Sequence, residues 1–311
     1  MATQEDQLRQ ILSQSLSPDK PTRQNAERAL LAAQSAPGHA LAVLRVVSGA
    51  PSGNAAAAHA DLPVRQAAAV HFKNMVKGGW APNDEDDNGG GRGVKYVIPE
   101  SDRSLIKDNL VALMCTVPPQ LQSQCSESIA IIASSDFPAK WDNLLGDLMS
   151  KFGDPNWGVV NGVLLTANSI LKRFRYVQRS DALYGDILYV LQRLQEPLTR
   201  LFVGIASSLD GAEAAGDVAG LAARLSALRS INRIFYSLNY QDLPEFFEDH
   251  MGEWMAGFAK LLQYTNPILV DEDEEMQPGE LLGDSFRFLL VSFGLFVSWG
   301  NLFCAMLFVT N

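Results

Sequence analysis

An all-α fold of stacked antiparallel helix pairs is predicted by three features of the chain. An apolar period of 3.6 residues runs from the first residues to about position 262, no period-two strand pattern competes with it, and polar breaks containing Gly or Pro interrupt it. With 311 residues, 47% of them hydrophobic, a sizeable core is available. The balance of 35 acidic against 25 basic residues leaves a net charge of −10, which repels phosphate backbones. No nucleic-acid partner is therefore expected, and a basic protein surface is attracted instead. Cys115, Cys125 and Cys304 are too few and too scattered for a disulfide framework or a CxxC zinc site, as expected in a reducing compartment. The opening MATQEDQLRQ has no apolar core of a signal peptide.

The elements follow in order. Leu8, Ile11, Leu12 and Leu16 share one helical face, and after Ser17-Pro18-Asp19 a second stripe continues at Ala26, Ala29, Leu30 and Ala33. The next pair covers His39 to Ser48 and Leu62 to Lys77. Further stripes are Leu105/Ile106/Leu110/Leu113/Met114, Leu121/Cys125/Ile129/Ile132, Trp141/Leu144/Leu145/Leu148/Phe152 and Val160/Val163/Leu164/Ala167/Leu171/Phe174. A longer stripe from Leu183 to Leu194 is expected to kink or stop at Pro197, because proline removes a backbone donor. The last pair is Val218 to Phe235 and Phe247 to Leu262. Pairs this small cannot bury their own apolar faces, so they are expected to stack into an α-solenoid of HEAT or armadillo type, a right-handed superhelix. Period alone also fits a plain helical bundle. The polar stretch Ala81 to Gly93 and the Gly/Ala stretch Gly211 to Gly216 are expected to be loops.

Chemistry is sparse. His39, His59, His71 and His250 have no HExxH spacing, and neither GxSxG nor GxxxxGK occurs. The glycines of 89-GGGRG-93 lack the preceding strand of a phosphate cradle. Glu245, Glu248 and Asp249 suit the start of the helix that holds Trp254, and Lys172, Arg173 and Arg175 suit a solvated helix C-terminus. The acidic run 271–275 lacks the spaced glycine of a calcium loop. No enzyme activity, cofactor or metal is expected.

Four segments carry a resemblance: 71-HFKNMVKGGW-80, 136-DFPAKWDNLLGDL-148, 161-NGVLLTANSILKRFRY-176 and 235-FYSLNYQDLPEFFED-249, with AERAL at 26–30 and FKN at 72–74 as a more general signal. Together they resemble the importin-β superfamily, and within it the CAS-type exportins that return importin-α to the cytoplasm. The resemblance reaches about Leu282. It implies a HEAT-repeat transport receptor, not an enzyme, that binds Ran-GTP and importin-α, meets nuclear pore proteins and shuttles between nucleus and cytoplasm. Ran would be held by the second, inward-facing helix of each pair, here the helices beginning near Pro21, Leu62 and Pro118. On the second of these, Phe72 belongs to the apolar stripe while Lys73, Asn74 and Lys77 project to the other side as Ran-contact candidates. Phe137, Pro138 and Trp141 are expected to anchor one repeat on the next, with Asp136 as N-cap and Pro138 in the first helical turn.

The organisation expected is a Ran-binding region over 1–80, a polar loop over 81–97, further repeats over 98–270, an acidic loop over 271–280 and an atypical hydrophobic tail over 281–311. Six of the fifteen phenylalanines lie between Phe286 and Phe308, and residues 288–309 carry no charge, long enough to span a bilayer. Two readings of the chain follow. One is a truncated N-terminal portion of such an exportin, ending in sequence that does not belong to the family. The other is a HEAT scaffold that the tail anchors to a membrane.

Overall fold

The computed structural model describes residues 4–49, 61–81 and 96–264. These residues form two compact units that divide between Ile170 and Leu171. All regular structure among them is helical.

In the first unit, α1 (Gln4–Ser15) and α2 (Lys20–Ala33) form a hairpin whose buried contacts include Leu8, Leu12, Ala26 and Leu30. Helix α2 starts cleanly because Asp19 accepts from the Thr22 amide at 3.0 Å and Pro21 sits in its first turn, where no donor is needed. Gly38 then takes φ +78°, a left-handed value that suits glycine, and α3 (His39–Ser48) begins. Helix α4 (Leu62–Gly79) packs on α3, and α5 (Glu100–Thr116) turns into α6 (Pro119–Asp136) through Val117 and Pro118 alone. The unit closes with the short α7 (Leu144–Met149) and α8 (Trp157–Leu171).

The packing partners define the repeat. Each of α1, α3 and α5 contacts its own hairpin partner and also the first helix of the next pair, α5 meeting α7. Helix α4 packs as extensively on α6 as on α3. First helices thus stack on first helices, and α4 stacks on the following second helix, α6, which is the HEAT arrangement: apolar stripes too wide for one neighbour are shared between two.

The second unit begins with a 3₁₀ turn (Lys172–Arg175) and continues with α9 (Asp181–Ala214), α10 (Val218–Asn239), α11 (Glu245–Asp249) and α12 (Met251–Gln263). Helix α9 packs on α10 and on α12. Ser180 and Asp217 cap α9 and α10, accepting from the amides of Leu183 at 3.2 Å and Gly220 at 2.9 Å.

Four expectations fail here, each for a physical reason. Helix α9 does not stop at Pro197: it runs on, for 34 residues in all. A proline inside a helix costs about 3 kcal/mol, but Leu194, Leu198 and Phe202 around it are wholly buried, and each buried large apolar side chain returns about 1.5–3 kcal/mol. The same stripe, through Leu209 and Ala212, carries α9 past Gly211 to Ala214, so the expected loop shrinks to Ala215–Asp217, with Gly216 left-handed at φ +65°. The helix expected from Trp141 is only Leu144–Met149, because the amides of Lys140 and Trp141 are taken by turn bonds to the carbonyls of Asp136 and Pro138. Glu245, Glu248 and Asp249 do not open the helix of Trp254; they lie in the separate α11, and the helix break at His250 leaves Glu253 as the acid in the first turn of α12.

The expected loop after Ala81, the acidic run and the hydrophobic tail lie outside the described residues. Among the described residues, no helix is long and apolar enough to cross a membrane.

Candidate functional site

Helix α4 carries the Ran-contact candidates, and its position is fixed at both ends. At the start, the Arg9 guanidinium of α1 donates to Asp61 at 2.7 Å. One turn on, Arg65 is buried and donates to the carbonyls of Val47 at 3.0 Å and Ser48 at 3.2 Å, satisfying the last turn of α3. Between the ends, Ala68, Ala69, Phe72, Met75 and Val76 form the buried stripe. At the far end the Tyr96 ring lies close against Gly78 and Gly79, and its hydroxyl donates toward the carbonyls of Met75 at 2.8 Å and Asn74 at 3.2 Å. A Cβ on Gly79 would sit 2.4 Å from that ring, so the paired glycines of KGGW are there for its close approach. Trp80 is buried beyond them, with the Arg103 guanidinium 5.2 Å over its ring.

Phe72 is 1% exposed and belongs to the core. Asn74 and Lys77 are exposed on the opposite side. Lys73 is engaged: its ammonium lies 3.3 Å from Glu127 on α6, with the lysine side chain 21% and the glutamate 55% exposed. The polar edge of α4 is thereby tied to the second helix of the following pair. Sequence reasoning passed over Glu127, and no signal within α6 singles it out.

Behind α4 lies a pair of imidazoles. His71 and His39 of α3 meet edge to face with centroids 5.9 Å apart, and neither Nε2 has a hydrogen-bond partner. Burial pushes the His71 pKa down to about 4, with the neighbouring His39 adding to the effect. His39 is also lowered by burial, against the opposing pull of Asp102, whose carboxylate accepts from the Gly38 amide at 2.8 Å. Both rings are therefore neutral at pH 7.

Phe137 and Trp141 are buried and Pro138 is half-buried. Asp136 is not an N-cap. It is the last residue of α6, and its carboxylate takes the Lys107 ammonium at 3.2 Å while Lys107 also donates to the Lys140 carbonyl at 2.7 Å. The turn that follows α6 is thus latched to α5. In the next motif, Gly162 of NGV leaves room for Gln122, whose amide nitrogen reaches the carbonyls of Met114 and Gly158 at 3.3 and 3.2 Å; a Cβ on Gly162 would fall 2.3 Å from that nitrogen.

The KRFR run does not form a solvated cap. Arg173 pairs with Asp186 of α9 at 3.0 Å, and Arg175 donates to Ser237 and to the Arg233 carbonyl of α10, both at 2.9 Å, while lying 4.6 Å over the Tyr236 ring. Gln241 continues the seam, donating to the Phe174 carbonyl at 2.8 Å and accepting from Arg179 at 3.0 Å. Two distant segments, KRFRYVQR and FYSLNYQD, therefore clamp each other. Phe235 of the second segment then enters an aromatic cluster with Phe202, Phe247, Trp254 and Phe258, in which Trp254 stacks between Phe202 at 4.3 Å and Phe235 at 4.2 Å. The indole N–H donates to Thr199 at 3.1 Å, and Thr199 bonds back to the Gln195 carbonyl, one of the carbonyls in the turn around Pro197.

No group of three or more His, Cys, Asp or Glu among the described residues could hold a metal ion. What the arrangement presents is a helical-repeat scaffold of the HEAT class, with polar side chains on its second helices. The comparisons agree with that class. Residues 26–116 match the importin-beta N-terminal domain, and residues 170–283 match the family described as Cse1. Exportin-2 of Pagrus major and of Homo sapiens are each 37% identical over 268 residues, 86% of this chain and 26% of theirs. A solved structure described as the exportin Cse1 in its cargo-free, cytoplasmic state superimposes with a TM-score of 0.76 at 31% identity, covering 91% of this chain and 28% of that one. The chain belongs to the importin-β superfamily, in its CAS-type branch. It spans about a quarter of the length of the exportins it matches.

Proposed function

We propose that the chain is the N-terminal portion of a nuclear export receptor that binds Ran-GTP together with importin-α and shuttles between nucleus and cytoplasm past nuclear pore proteins. The observation that carries this reading is the continuous similarity to Exportin-2 across both family regions. Residues 1–80 are the Ran-binding region in this reading, and 98–270 supply further repeats. Ran contacts the exposed side of α2, α4 and α6, with Asn74 and Lys77 available directly. Lys73 becomes available by exchanging Glu127 for an acidic group of the partner. That exchange is inexpensive, since a partly exposed ion pair contributes about 0–1 kcal/mol.

The test is titration of the chain with Ran loaded with GTP or GDP, and with importin-α added to the GTP form. Tight binding is expected for Ran-GTP only. Replacing Lys73, Asn74 and Lys77 together with alanine should weaken it while changing folding stability by no more than about 0.5 kcal/mol per exposed site. Equal affinity for both nucleotide forms, or unchanged affinity in the triple variant, refutes the assignment.

A further inference from the structure

The turn between α1 and α2 reads Leu16-Ser17-Pro18-Asp19-Lys20. The chain has fifteen prolines, and Ser17 is its one serine or threonine directly followed by a proline. Leu16, Pro18, Asp19, Lys20 and Pro21 are all exposed, and Ser17 is half-buried. The local bonds that hold the serine are few. Its amide donates to the Gln14 carbonyl at 3.1 Å and its hydroxyl accepts from the Asp19 amide at 3.2 Å. Pro18 biases Ser17 away from helical backbone angles and offers no N–H of its own. The serine is thus presented outside both helices, followed by a residue without a donor and, three positions on, by a cation.

That pattern is the acceptor chemistry of one enzyme class. We propose that Ser17 is a phosphorylation site for a proline-directed serine/threonine protein kinase, whose pocket after the acceptor takes a residue lacking an N–H and whose outer subsite takes the Lys20 ammonium. In the transfer, the Ser17 hydroxyl oxygen attacks the γ-phosphorus of ATP. The new O–P bond forms as the bond from that phosphorus to the β,γ-bridging oxygen breaks, ADP departs with the bonding electrons, and the hydroxyl proton passes to the kinase's carboxylate base.

The surroundings suit the product. The phosphoryl group brings about 1.5 to 2 negative charges. The Arg23 guanidinium already reaches the Ser17 carbonyl at 3.1 Å, and Lys20 is exposed beside it. Both cations, and the amide end of α2, favour the new charge. The Asp19 carboxylate, bonded to Thr22, opposes it. Two cations against one anion leave a net attraction, so the phosphate binds Arg23 and its second ionisation falls below the usual value of about 6.

The full chain, incubated with a purified proline-directed kinase and Mg-ATP, should gain a single phosphoryl group by intact mass, mapped to Ser17 by peptide sequencing. Ser17→Ala should remain unmodified. Pro18→Ala keeps the hydroxyl and, lying outside both helices, should keep the helical circular-dichroism spectrum, yet be phosphorylated about tenfold more slowly or worse. On the phosphorylated chain, a ³¹P titration should place the second ionisation lower than in the phosphorylated Arg23→Ala variant. No incorporation into the folded chain, incorporation that survives Ser17→Ala, or a Pro18→Ala variant modified at the parent rate overturns the proposal.

Discussion

Lowering the pH should loosen the first unit through one side chain, His71. In the folded chain its pKa is held at about 4, against 6.5 for the unperturbed imidazole, because the ring is mostly buried between α3 and α4 and faces His39. The unfolded chain therefore takes up the proton first as pH falls, and the native state loses stability between about pH 6.5 and pH 4. A separation of about 2.5 units at 1.36 kcal/mol per unit sets the full effect near 3.4 kcal/mol, of which about 2 kcal/mol is already lost at pH 5. His39, also lowered by burial, adds in the same direction. Urea denaturation at pH 7.5 and pH 5 measures the change. Carboxylates titrate in the same window, so the quantity to compare is the pH-dependent loss in the parent chain minus that in His71→Leu, which carries no proton at this site. The parent should lose about 2 kcal/mol more. Identical losses would refute the reasoning, since they would mean that the imidazole is protonated equally in the folded and unfolded chains.

Two further perturbations test the packing that positions the repeats. Gly79→Ala should destabilise the first unit by about 1–3 kcal/mol, because its Cβ would collide with the Tyr96 ring, and Tyr96→Ala in the same chain should remove most of that penalty; an additive double mutant in thermal denaturation would show that the ring is not the obstacle. Thr199→Val should cost about 1–3 kcal/mol by leaving the Trp254 indole N–H without an acceptor, whereas Thr199→Ser should restore it; equal stability of the valine and serine variants in urea would mean that the bond contributes nothing.

The helix pairs were legible because their apolar stripes obey the helical period over long stretches, and the same stripes put Phe72, Trp141 and Phe235 inside. What period shows is which face of a helix is buried, not which neighbour buries it. The partners of Lys73, Arg175 and Gln241 lie 54, 62 and 67 residues away, and nothing in the local pattern of either segment announces them. The Tyr96 contact was hidden for the same reason, although two adjacent glycines at the end of α4 were a visible sign that something approaches closely there. Pro197 misled in the other direction. A local rule argued for a break, and the burial of Leu194, Leu198 and Phe202 on both sides of it outweighed the rule.

The residues that give the chain its family resemblance are mostly not the ones that would touch a partner. In KRFRY and FYSLNYQD the side chains that distinguish the motifs are turned toward each other: Arg175 on Ser237 and Tyr236, Gln241 on the Phe174 carbonyl, Phe235 in the aromatic cluster. In DFPAKW the aspartate holds Lys107 while the phenylalanine and tryptophan are buried. Such residues fix how one helix meets the next. Stacked repeats depend on that, because a small error at each junction accumulates along the stack. Under the proposed function, partner choice is left to exposed positions such as Asn74 and Lys77, which can change without disturbing the junctions. Substitutions inside the clamps should therefore reduce stability and partner binding together, while substitutions on the exposed edge of α4 should separate the two.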